Sequence, residues 1–438
     1  LLLSFDLFNS NSSNSYIITP TISTAPIFTD SSTAQAAAKV GTTSQVIAIG
    51  TAASASFFYL QAKGASTQLM RILQIMARIN FMKLININYL TPLAAFYNYT
   101  DLGQFGLPNF FNKIPGYNNT KAATDSTFKT DSEGHVIFND YYRYTVSQVF
   151  LDNYGGIVFS TCTTLSLYLL VKIAGKCFKN QMSKIRKLLI AASQSFEKSV
   201  LMTLLVSRYS YLCSAIILNF AFIPINGTYQ QISFGFAILY TMIIVFILIL
   251  SICAGFYHGR NRAKLKSIRP LLNLIALLCQ DHYSRNYFGR LMTFWTLLSN
   301  LMIMLALQLL RKWTIIQLSV LTVMNVITIL IALPKNIFKT AAMKITTIGT
   351  EIGFIIINIL FLVIHLLENS GLYQVRLALS WTAVGVNGAI ILFQFIVKIV
   401  EFFRLRRLKK QEELKQKQAK EESQVQLQRP RKYSIPIE

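Results

Sequence analysis

Residues 226–269 read NGTYQQISFGFAILYTMIIVFILILSICAGFYHGRNRAKLKSIR. The stretch opens on an N-glycosylation sequon, Asn226-Gly227-Thr228. An apolar run over 232–256 follows, long enough as a helix to span roughly 30 Å of hydrocarbon. It ends at Arg260, Arg262, Lys264, Lys266 and Arg269, a cluster with no acid in it. Glycan acceptors belong on the outer or lumenal side of a membrane, and short Lys/Arg-rich loops on the cytosolic side. One stretch thus defines both a membrane crossing and its direction.

The pattern repeats along the chain. Clear apolar spans lie at 154–174, 199–223, 290–310, 313–333, 345–367 and 377–400. A weaker span, Val40–Leu60, is built from small residues that let helices approach closely, and it closes on the interfacial aromatics Phe57, Phe58 and Tyr59. Further acid-free clusters are Lys172, Lys176, Lys179, Lys184, Arg186 and Lys187, then Lys335, Lys339 and Lys344, then Arg404, Arg406, Arg407, Lys409 and Lys410. Placing every cluster in the cytosol puts Asn98, Asn118 and Asn226 outside; Arg311-Lys312 is the one pair on the wrong side. The remaining sequon, Asn11, is also outside only if 67–90 crosses.

The expected fold is therefore an all-α polytopic transmembrane bundle of about nine crossings, or eight without 67–90. Its N-terminus is outside and its C-terminus cytosolic. Segment 67–90 reads in two ways, because it carries Arg71, Arg78 and Lys83 among apolar residues. It is either an interfacial helix or a short crossing whose cations snorkel. The domains divide as an extracellular Ser/Thr/Asn-rich linker (1–38), a first membrane hairpin (39–90), a glycosylatable extracellular loop (91–150), a transmembrane bundle (151–400) and a cytosolic basic tail (401–438). Residues 271–280 are too short to span and read as a helix on the cytosolic face. The tail over 401–424 reads as a solvated helix continuing the last span.

Composition agrees. The chain is 53% apolar and only 14% charged, with mean hydropathy +0.44. Its net charge of +24 is distributed beside apolar runs and in the tail, which points to anionic lipid rather than nucleic acid. The five cysteines, Cys162, Cys177, Cys213, Cys253 and Cys279, show no CxxC or Cys/His metal spacing, so no metal site or cofactor is expected. The P-loop, GxSxG, HExxH and strand-borne GxGxxG signatures are missing, which argues against an enzyme. The opening Leu-Leu-Leu-Ser is expected of a processed product or the membrane-proximal part of a longer chain.

The text Leu73-Gln74-Ile75, Leu84-Ile85-Asn86-Ile87-Asn88-Tyr89-Leu90 and Phe96-Tyr97-Asn98-Tyr99 resembles the TRP-like membrane proteins of fungi (the flavin-carrier-like group) and cysteine-rich multi-pass proteins of ciliates. Phe105-Gly106-Leu107-Pro108-Asn109-Phe110 fits the ciliate version, while the turn's proline is displaced to Pro92. The resemblance implies a TRP/polycystin-like bundle, often below a cysteine-rich ectodomain.

Ionisable residues inside spans are costly and are read first as functional. Arg208 lies roughly 15 Å along its helix from Lys198, and Glu351 roughly 10 Å from Lys344, both measured from the cytosolic end. They are expected to pair across helices 199–223 and 345–367. Asn219, Asn300, Asn325, Asn358 and Asn387 are expected to form inter-helix hydrogen bonds, and His365 to sit beside Glu368 at a helix end. Function reads as a TRP-like channel-related bundle moving cations or lipid, or as a non-conducting anchor or scaffold. Partners are expected to be anionic lipids of the cytosolic leaflet and other membrane subunits or further copies of the chain. The last two external loops leave no room for a re-entrant filter.

Overall fold

The computed structural model describes residues 32–59, 74–87, 89–99, 111, 149–177, 209–222, 227–257, 287–310, 313–334, 337–338, 340–368 and 370–428. Their secondary structure is helical, with no β-strand among the described residues. The helices are α1 (Ser32–Tyr59), α2 (residues 74–81), α3 (Thr91–Tyr99), α4 (Phe150–Cys177), α5 (Tyr209–Phe222), α6 (Thr228–Tyr257), α7 (Tyr287–Leu309), α8 (Thr314–Ala332), α9 (Ala341–Leu366) and α10 (Tyr373–Gln428). Four segments are long and apolar enough to cross a membrane: Thr228–Ile249, α8, α9 and Tyr373–Val397. The described part is all-helical, and the length and apolarity of these four segments make this an integral membrane protein.

These helices are apolar all round, and burial sorts their faces. On α6, Tyr240, Ile244 and Ile247 point into the bundle, whereas Leu239, Met242, Val245, Phe246 and Ile249 are exposed, as lipid-facing side chains are. Helix ends are marked by local chemistry. The Thr340 hydroxyl accepts from Met343 N at 3.2 Å and so caps the start of α9. At the other end His365 Nδ1 lies 3.1 Å from Glu368 Oε2, the expected neighbour, and Gly371 takes a positive φ of 69° in the turn to α10. Lys344 donates to Leu333 O, one of the terminal carbonyls of α8.

Helices α8, α9 and α10 pack in sequence against one another. Gly349 and Gly353 on α9 make the second contact close, since a Cβ built on either would lie 2.6 Å from Phe393 or Ile390 of α10. The helix α10 continues without interruption to Gln428, so the tail prolongs the last span as the charge pattern predicts. Arg404 and Arg407 are exposed there; Arg406, Lys409 and Lys410 lie on the same helix.

Three differences from the sequence reading concern the N-terminal third. Helix α1 begins at Ser32, inside the expected linker, because its Ala-rich start packs with Ala95 and Trp381. Segment 74–87, most of the described part of 67–90, packs into the bundle with its cations inside. Ile79, Ile85 and Ile87 are buried in the bundle, and so are Arg78 and Lys83. Residues 91–99, expected to open an external loop, form α3, whose Leu93, Ala94, Phe96 and Tyr97 are fully buried against α1 and α10. The expected surface helix 271–280 lies outside the described residues, as do Asn11, Asn118 and Asn226.

Candidate functional site: a buried ion pair beside an interrupted helix

The chain from 74 to 99 is helix, break, helix. After α2, Met82–Leu84 tighten into a 3₁₀ turn and Ile85 becomes extended, with ψ 135°. An extended backbone exposes polar groups that water cannot serve inside a bundle, so side chains must. Gln317 Oε1 accepts from Asn86 N at 3.2 Å, and the Thr314 hydroxyl donates to Asn86 O at 2.7 Å. The Tyr89 hydroxyl donates to Met82 O at 2.6 Å. Pro92 then sits in the first turn of α3, where a missing N–H leaves no intrahelical bond unmade.

Gln317 is the clamp of this arrangement. It is fully buried, and its Nε2 donates to Leu307 O at 3.1 Å and Ala306 O at 3.4 Å. One amide thus ties the end of α7, the start of α8 and the break together. Gln317→Leu removes the acceptor of the Asn86 N–H and one donor to the Leu307 carbonyl, and a buried group left unpaired costs about 1–3 kcal/mol. Thermal unfolding in detergent is expected to show that loss, and amide exchange at 85–90 to accelerate with it. Unchanged exchange there would remove the clamp role.

Below the break, Arg78 reaches α9 and α8. Its Nη1 donates to both carboxylate oxygens of Glu351, at 3.0 Å each, and its Nη2 donates to Asn325 Oδ1. Arginine carries donors only, so the Asn325 oxygen must face it. Asn325 Nδ2 then points away and meets no acceptor among the described residues. The ring of Phe354 lies 4.0 Å under the guanidinium carbon, one turn beyond Glu351, and adds a cation–π contact. Arg78 and Glu351 side chains are each only 11% exposed. At 1.5 Å per residue, Glu351 is about 15 Å from Ala341 and about 22 Å from Leu366, which is mid-span.

Glu351 was expected to meet Arg208, which lies outside the described residues; its partner within them is Arg78. The expected inter-helix role of the asparagines appears at Asn325, at Asn358, whose Nδ2 donates to the Thr322 hydroxyl at 3.3 Å, and at Asn387, whose Nδ2 donates to the Tyr97 hydroxyl at 3.3 Å. Asn219 and Asn300 are buried as well. Of the four sequon asparagines only Asn98 is described, on the last turn of α3. Gln317 and the glycines 349 and 353 were not anticipated; Gly349-Thr350-Glu351-Ile352-Gly353 is a GxxxG text that announces a close helix contact.

The chemistry of this centre is a neutral charge pair, one under-served carboxylate and one unused amide donor. No group of His, Cys, Asp and Glu among the described residues could hold a metal ion. Comparison of the chain with protein-family models, with curated proteins and with solved structures finds no match in any of the three.

Proposed function

We propose that the protein is a multi-pass transport protein of TRP-like layout that moves cations or lipid around the interrupted segment 74–99. In this reading it crosses the membrane about nine times, with the N-terminus outside and the C-terminus in the cytosol. The Arg78–Glu351 pair, buried at mid-span beside a broken helix, carries the proposal. Charges at that depth are costly, and an inert anchor has no use for them. The break itself lies toward the Leu366 end of α9, where Asn86 meets the start of α8 and Tyr89 meets Phe361, so the pair and not the break marks the mid-span.

The exposed Arg404 and Arg407 support anionic lipid as a cytosolic partner, each worth about 1 kcal/mol near a charged leaflet. The alternative is a non-conducting anchor or scaffold of a larger membrane assembly. One observation favours it: the α7–α8 and α9–α10 connections, 310–313 and 367–372, are too short for a pore loop. That disfavours a tetrameric pore and leaves a groove open to ions or lipid.

Purified protein in vesicles containing anionic lipid separates the two. Cation flux is read with an entrapped dye and lipid movement by chemical quenching of a labelled headgroup. One of them is expected to exceed empty vesicles and to fall about tenfold in Glu351→Gln, since that change removes the only described carboxylate at Arg78. Background rates in both assays would hand the protein to the scaffold reading.

A further inference from the structure

The buried face of α10 carries a polar residue at every seventh position: Ser380, Asn387 and Gln394, at 0%, 0% and 4% exposure. Seven residues are two helical turns less about 20°, so the three stand in one line along the helix. At 1.5 Å per residue they lie about 10, 21 and 32 Å from Tyr373. The membrane-spanning part of α10 is Tyr373–Val397, so the line runs through most of its depth.

In each of the three the donor is committed and the oxygen is not. The Ser380 hydroxyl gives its one proton to Arg376 O at 2.9 Å and keeps its lone pairs. Asn387 Nδ2 donates to Ala383 O at 2.9 Å, and because a carbonyl only accepts, the orientation of that amide is fixed. Gln394 is fixed the same way. Thr350 gives its proton to Thr346 O at 2.7 Å, so its hydroxyl must accept from Gln394 Nε2, at 2.5 Å. Asn387 Oδ1 and Gln394 Oε1 are then buried without a donor. An unpaired carbonyl oxygen inside a bundle is costly. Two on one helix face call for a ligand that takes up oxygen lone pairs.

We propose that this face of α10 coordinates monovalent metal cations inside the bundle, with Asn387 and Gln394 as the principal ligands and Ser380 as a third. Amide and hydroxyl oxygens replace part of the water shell of a hard cation. No carboxylate stands in the line, so nothing in it matches the charge of a divalent ion. Gln394 lies against Thr346 of α9, whose hydroxyl proton goes to Met343 O at 3.0 Å and whose oxygen is a further buried acceptor at that level. An acyl chain offers nothing to a buried carbonyl, so lipid does not account for the line. The choice of cation over lipid as cargo rests on the transport reading; the binding of the ion does not.

Thermal unfolding of the purified protein in detergent tests the binding, in sodium or potassium chloride against N-methylglucamine chloride at equal ionic strength. The metal ion is expected to raise the unfolding temperature of wild type by a few degrees. Asn387→Leu and Gln394→Met are expected to unfold cooperatively and to lose that rise. Asn358→Leu is the control, since its Oδ1 is also buried without a donor, but on α9 and turned to Thr322 of α8. No ion response in wild type, or an equal loss of response in Asn358→Leu, overturns the proposal. The vesicle assay separates it from transport. Cation flux is expected to fall several-fold in both α10 variants. Cation flux that survives both substitutions, or movement of lipid alone, overturns the α10 assignment and leaves the transport reading in place. An ion response without flux keeps the site and ends the transport reading.

Discussion

Replacing Arg78 by Met is expected to lower stability by about 3–5 kcal/mol, among the largest losses any single substitution in this chain produces. The reason lies in what remains. Glu351 has no described donor other than Arg78 Nη1, so the variant leaves a carboxylate buried at mid-span with nothing to offset its charge. Loss of the Phe354 contact adds up to about 2 kcal/mol, which is the smaller effect. Glu351 can limit the damage only by taking up a proton, and a protonated carboxyl still requires an acceptor for its hydrogen.

The double variant Arg78→Met/Glu351→Leu discriminates further. A buried ion pair replaced as a whole by apolar groups of similar size is often neutral or stabilising. The double variant is therefore expected to regain most of what Arg78→Met loses. Thermal unfolding in detergent of wild type, both single variants and the double gives the coupling energy directly. Additive losses would mean that the two side chains do not depend on each other. Recovery of stability without recovery of flux would assign the pair to function.

How much of this was legible depends on the kind of signal. The four spans 232–256, 313–333, 345–367 and 377–400 could be read because each apolar run is bounded by sequons, turns or basic clusters; 313–333 against Thr314–Ala332 is typical. The break at 82–90 was not, because apolar residues continue through it at nearly helical spacing. Its cues, Asn86, Asn88 and Pro92, become meaningful only once α8 supplies Gln317 and Thr314 to satisfy the extended backbone. Depth along a helix is a local property, so Glu351 stood out. Its partner is not local: Arg78 is 273 residues away in the chain and sits in a segment whose cations looked interfacial. Burial of α3 was hidden for the same reason, since a nine-residue apolar helix is too short to announce a membrane segment by length.

The second large effect is expected at Gly353. A Cβ there would stand 2.6 Å from Ile390 Cγ1 and 2.8 Å from its Cδ1. Ile is β-branched and stiff at χ1, so it cannot swing aside, whereas at Gly349 the obstacle is the far end of the Phe393 ring. Gly353→Ala gains about 1 kcal/mol of helix propensity and loses about 1–3 kcal/mol to overpacking, a small net deficit. Gly353→Leu cannot be absorbed and must push α9 off α10. Gly385→Ala on α10 is the control, because nothing lies within 4 Å of that position and only the propensity gain remains. Unfolding temperatures are expected to rank Gly385→Ala at or above wild type, Gly353→Ala slightly below and Gly353→Leu far below, with Ile390→Ala restoring part of the last. Equal stability of Gly353→Leu and Gly385→Ala would disprove the close contact. Glu351 lies between the two glycines, so moving α9 also draws its carboxylate away from Arg78. Under the proposed transport reading, Gly353→Leu then lowers flux further than its stability alone accounts for, and Ile390→Ala restores both together.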